Sequence, residues 1–103
     1  MFVLVFYVPE THLEKVKEAL FNAGAGKIGK YNKCCWQVMG EGQFMPEEGS
    51  APYIGTKGSI EKVGEYRVEM VCKNEDADKI KKALLAAHPY EMPAYHFLEI
   101  KDI

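Results

Sequence analysis

The stretch Phe2-Val3-Leu4-Val5-Phe6-Tyr7, followed by Leu13, Val16, Leu20 and Ala23, decides the fold because the chain contains it twice. A shift of about 64 residues lays it on Tyr66-Arg67-Val68-Glu69-Met70-Val71 and then on Ala77, Ile80, Leu84 and Ala87. The six-residue runs have strand length. The apolar residues after them recur at spacings of three and four, the signature of a helix with one buried stripe. Glu10 and Thr11 after Pro9 mark the start of the first helix and Gly24 its end. Asn74 or Asp76 is positioned to cap the second, and His88-Pro89 stops it because a residue before proline avoids helical angles.

A further strand follows each helix: Tyr31 to Met39 continuing to Phe44, and Ala94 to Ile100. The order strand, helix, strand, strand, helix, strand is two split βαβ units. It predicts an α+β, ferredoxin-like βαββαβ sandwich over residues 1–103, an antiparallel sheet with two helices on one face. Between the second and third strands, Gly40 to Gly64 holds six of the nine glycines, which predicts a long folded excursion or a binding loop. Gly40-Glu41-Gly42 suggests a bulge or a close backbone approach.

The first strand is apolar on both faces. If Phe2, Leu4 and Phe6 face the helices, Val3, Val5 and Tyr7 lie on the face that should turn polar. Something must cover them: either sister copies packed sheet to sheet, or the glycine-rich excursion folding back.

The chain has 103 residues and 48% hydrophobic content, enough for one core. Its formal charge of −2 provides no basic excess for a phosphate backbone, so no nucleic-acid partner is expected. The longest apolar run, Phe2 to Val8, is far short of the roughly 20 residues of a membrane helix, so no membrane partner is expected either. Three cysteines, two of them adjacent, do not form a disulfide framework and suit a reducing, cytoplasmic setting.

Candidate chemistry concentrates in His88-Pro89-Tyr90-Glu91-Met92-Pro93. His88 and Glu91 are suitable donors for zinc or copper, or an acid–base pair. They serve a structural role equally well, with His88 satisfying free carbonyls at a helix end. Cys34 and Cys35, as strand neighbours, point to opposite faces and cannot chelate together, whereas Cys72 could approach Cys34. His12 falls on the polar side of the first helix. No catalytic triad, phosphate loop or zinc-protease element is present. Gly24, Gly26 and Gly29 follow a helix instead of opening one, which rejects a dinucleotide fingerprint.

Gly26-Lys27-Ile28-Gly29-Lys30-Tyr31 with Cys34, Gly40-Glu41-Gly42-Gln43-Phe44-Met45-Pro46-Glu47-Glu48-Gly49, Pro52-Tyr53-Ile54-Gly55, Gly58, Glu65, Glu69 and His88 to Tyr95 together carry a family resemblance. They resemble the domain inserted into bacterial NGG1-interacting-factor-three-like (YqfO-type) proteins. The His-Pro-Tyr-Glu segment is also similar to the CutA divalent-ion-tolerance proteins, which lack the Gly-x-Gly-x-Phe-x-Pro-x-x-Gly segment. The resemblance implies a PII/CutA-like fold and a homo-oligomer, specifically a trimer. In the longer proteins the two-metal centre and the GTP-cyclohydrolase-like label belong to flanking halves, so the resemblance implies a regulatory or assembly domain and not an enzyme. The expected ligand, a small molecule or ion of unknown identity, would sit in a cleft lined by Gly40, Gly42, Phe44, Gly49, His88, Tyr90 and Glu91. The alternative is CutA-like binding of a divalent metal through His88 and Glu91.

Overall fold

The computed structural model describes every residue except Asp102. Six main elements follow the expected order: β1 (Phe2–Val8), α1 (Leu13–Asn22), β2 (Trp36–Phe44), β3 (Glu61–Cys72), α2 (Ala77–Ala87) and β4 (Tyr95–Glu99). All pairings are antiparallel and the sheet order is β2-β3-β1-β4. The central strands are therefore the two repeated segments. Leu4, Phe6 and Val8 from β1, Val68, Met70 and Cys72 from β3, and the apolar stripes of both helices form one buried cluster. This is the alternation anticipated for the helix-packed face.

Each helix begins through a short 3-10 turn, Glu10–His12 and Asn74–Asp76. Neither Asn74 nor Asp76 makes the expected side-chain cap; Asp76 instead crowds Gly24, whose added Cβ would stand 3.0 Å from its carboxylate. The α1 terminus does follow expectation. Gly24 adopts φ 111°, and the Ala25 and Gly24 amides return to the Leu20 and Phe21 carbonyls at 3.0 and 3.1 Å. That reciprocal pair satisfies carbonyls the helix leaves open and needs a residue tolerant of left-handed angles.

Two strands begin elsewhere than the sequence reading places them, and the bulge it suggests is absent. Strand β2 begins at Trp36, because residues 26–34 form a tight loop closed by an Ile28–Tyr31 pair and by Cys34 N–H to Gly26 O at 2.8 Å. Cys34 thus lies outside the strand, with its thiol directed at the Asn32 carbonyl, and all three cysteines are free. Strand β3 begins at Glu61, five residues before Tyr66, so both ends of the glycine-rich excursion are paired strand. No bulge interrupts Gly40-Glu41-Gly42, which pair in constant register with Glu65, Gly64 and Val63. Pairing to β1 stops at Tyr66, so the hairpin overhangs the sheet. At the other end of β1 the two chain ends meet, with Ile100 N–H donating to the Met1 carbonyl at 2.9 Å.

Register places Trp36, Val38, Arg67, Glu69, Val71, Val3, Val5, Tyr7, His96 and Leu98 on the face opposite the helices. Val5 is only 2% exposed although it lies outside the helix-side cluster. Its cross-strand partners Glu69 and His96 flank it, and Glu69 pairs with Arg67 at 3.3 Å. The expectation of three open apolar residues is thus corrected at Val5, and Val3 and Tyr7 are half-buried. The exposed apolar surface lies farther out, at Trp36, Val38 and Leu98. No helix among the described residues is long and apolar enough to cross a membrane.

Candidate functional site

Proline brackets the turn from α2 to β4, and its shape is set by one histidine. His88 is buried, and its Nε2–H donates to the Tyr7 carbonyl at the end of β1, 2.6 Å away. Its Nδ1 accepts the Tyr90 backbone N–H at 3.1 Å. Both ring nitrogens are therefore engaged, which defines a neutral ring protonated at Nε2. Burial pushes its pKa below the ordinary 6.5, opposed by the bond to Tyr7. The carbonyl it satisfies belongs to β1, not to the helix end, so the turn is tied to the sheet across most of the sequence.

That tie directs Tyr90 outward over the overhanging hairpin. Its ring packs against Phe44 from β2 at 6.5 Å and against Tyr53 from the excursion at 6.1 Å. His12, expected in solvent, instead meets Tyr53 edge-on at 6.0 Å. The excursion is drawn to the turn as well: Ala51 N–H donates to Glu91 Oε2 at 3.0 Å. A cleft of about 430 Å³ lies between these elements, with Phe44, Tyr53, Tyr90, Glu91, Tyr7 and Glu65 in its walls.

Glu65 also borders a second cleft, of about 410 Å³, with Gly40, Gly42 and Arg67. Its side chain lies directly over Gly42, where a Cβ would collide with the carboxylate. The close approach inferred for this glycine is real, but the approaching group is the protein's own acid. Burial raises the Glu65 pKa. Burial also raises that of Tyr90, with further contributions from the Glu65 and Tyr53 charges. The Tyr90 hydroxyl is buried without a hydrogen-bond partner among the described residues. Such a group costs about 1–3 kcal/mol unless something satisfies it.

Of the residues selected from sequence, Phe44, Tyr90 and Glu91 meet at the first cleft, and Gly40 and Gly42 at the second. His88 stands behind Tyr90, and Gly49 sits in an exposed turn outside both walls. Tyr7, Tyr53 and Glu65 escape selection from the sequence. The signals were an aromatic between Pro52 and Gly55 and an acid with the parity of the open face. Among the described residues no group of three or more histidines, cysteines or acids is arranged to hold a metal ion. For His88 to bind a metal, its ring would have to release either the Tyr7 carbonyl or the Tyr90 amide, whereas Glu91 engages the Ala51 amide through Oε2 alone.

Known proteins are similar to this chain in sequence and fold. The "GTP cyclohydrolase 1 type 2 homolog" of Mycobacterium leprae is 50% identical over 91 residues, 88% of this chain but 24% of that protein. A solved Bacillus cereus protein related to NIF3 superposes with a TM-score of 0.85 at 39% identity, covering 98% of this chain and 26% of that one. This chain is homologous to that quarter-length segment. It corresponds to the inserted domain of the NIF3-like proteins and spans about a quarter of the length of the relatives it matches. CutA from Pyrococcus horikoshii, at 18% identity, superposes over 100% of this chain and 87% of its own with a TM-score of 0.71. That likeness shows the fold alone, a CutA/PII-like βαββαβ. No family model matches the sequence.

Proposed function

We propose that this chain is a non-catalytic binding and assembly domain, an oligomer that holds a small ligand in the cleft beside Tyr90. The observation that carries the reading is the preformed cleft walled by Phe44, Tyr53 and Tyr90, beside which the Tyr90 hydroxyl is buried without a partner among the described residues. A preformed, mostly aromatic concavity with a few polar groups in its walls is where a small ligand would sit. Phe44, Tyr90 and Glu91 would line it. Gly40 and Gly42 would border its neighbour, and His88 would hold Tyr90 in place without touching the ligand.

Assembly is supported by the exposed Trp36, Val38 and Leu98 on the face opposite the helices. At about 25 cal/mol per Å² of apolar area, covering such side chains stabilises an interface by several kcal/mol. The trimer implied by the family resemblance would cover them with sister copies. Sedimentation tests this directly: a single 11.6 kDa species at micromolar concentration removes the oligomer. Thermal melting against nucleotides, metabolites and divalent ions tests the cleft, since a ligand of the folded state raises the midpoint. No shift from any of them at saturating concentration removes the ligand reading.

A further inference from the structure

Resting on the assembly reading, we infer that copies of this chain join head to tail, the lysine-bearing loop 26–34 of one docking on the acidic hairpin end of the next. The two surfaces lie at opposite ends of β3. The loop is tied to one end, where Gly26 N–H donates to the Val71 carbonyl at 2.8 Å, and the hairpin projects from the other, where β3 starts at Glu61. An extended strand rises about 33 Å between those residues, most of the 46 Å length of the molecule. The charges are opposite. Residues 24–36 hold three lysines and no acid, whereas residues 41–65 hold five glutamates and two lysines. Lys33 is paired with Glu18 at 3.0 Å, but Lys27 and Lys30 are exposed and make no ion pair among the described residues. Glu47 and Glu48 are exposed and unpaired in the same way.

Packing gives a second, independent reason. The loop is closed by its own backbone: Ile28 and Tyr31 exchange bonds at 3.0 and 2.9 Å, and Cys34 N–H returns to the Gly26 carbonyl. The Lys33–Glu18 pair ties it to α1. A loop held this way loses little freedom on docking. Yet Ile28 and Tyr31 are 54% and 76% exposed and stand outside the core cluster. The hairpin end presents apolar side chains of its own, Met45, Tyr53 and Ile60, among its acids. Apolar contact bordered by opposite charges is how specific interfaces are built. An unrelated acidic partner accounts for the loop alone, whereas a second copy accounts for both ends. Because the two patches differ, the contact is heterologous, and repeated at a closing rotation it makes a ring. Trp36 and Val38 lie on β2 between loop and hairpin, so the exposed apolar face runs from one patch to the other.

The test is sedimentation of the full chain over a range of concentrations, beside K27E/K30E, E47K/E48K and the variant carrying all four changes. Each double reversal should weaken association about tenfold or more, and the fourfold variant should recover it to within about threefold of the wild type. All four positions are exposed, and thermal melting of each dilute variant checks that the fold is kept. Raising salt from about 0.05 to about 0.5 M should weaken the wild type without any substitution, because exposed charges are screened. Association indifferent to both reversals overturns the inference, as does a fourfold variant no better than either double, or association as tight at high salt as at low. In each of those cases a wild type that still associates keeps the assembly reading. A wild type that sediments at 11.6 kDa at every concentration removes both.

Discussion

Both faces of the sheet carry apolar side chains but bury them by different means. On the helix side, Leu4, Phe6, Val68 and Met70 are sealed by α1 and α2 within one chain. On the other side only Val5 is sealed, by its strand neighbours, while Trp36, Val38 and Leu98 remain exposed. The first face makes the subunit fold; the second is surplus to that need and available to a partner. The cleft stands at the border, where the overhanging hairpin leaves the sheet and the α2–β4 turn reaches over it.

Substitutions can break this contrast, starting with the largest effect. Leu4→Ala opens a cavity under both helices and should cost about 3 kcal/mol or more in chemical denaturation. A loss below about 1 kcal/mol would mean that the helix side is not the main core. His88→Ala removes two hydrogen bonds and a buried ring, with an expected loss of about 2 kcal/mol. Its pH signature is more specific. Since the folded-state pKa of His88 is depressed below 6.5, the unfolded chain takes up the proton first on acidification. The wild type should therefore lose stability as pH falls below about 6.5, and the variant should lack that component of the slope.

Trp36→Lys should leave unfolding of the dilute subunit within about 0.5 kcal/mol, yet shift sedimentation towards 11.6 kDa. An unchanged assembly would place the subunit contact elsewhere. Tyr90→Phe should be neutral or stabilising by up to about 1 kcal/mol, because it removes a hydroxyl with no partner among the described residues. A clear destabilisation would reveal a partner for that hydroxyl in solution and weaken the case for a ligand.

The helix-packed face is legible in the sequence because its information is local. Spacings of three and four set Leu13, Val16, Leu20 and Ile80, Leu84 on single stripes, and Gly24 ends α1 as glycine should. What is not local is lost. Glu61 to Glu65 belong to β3 only because Gly40 to Phe44 lie beside them, and neither segment alternates clearly enough to announce the pairing. The cleft suffers most, since Tyr7, Phe44, Tyr53, Glu65 and Tyr90 come from five separate stretches. His88 illustrates the same limit: its chemistry fits a ligand or a strut equally well, and only the carbonyl of Tyr7, 81 residues away, distinguishes them.

The bond between Ile100 and Met1 bears on how such a segment travels between proteins. Because β1 and β4 are neighbours, a host polypeptide can leave and rejoin its own path across a gap no wider than one hydrogen bond. The host need neither stretch nor unravel to admit this passenger, consistent with relatives four times as long carrying it whole.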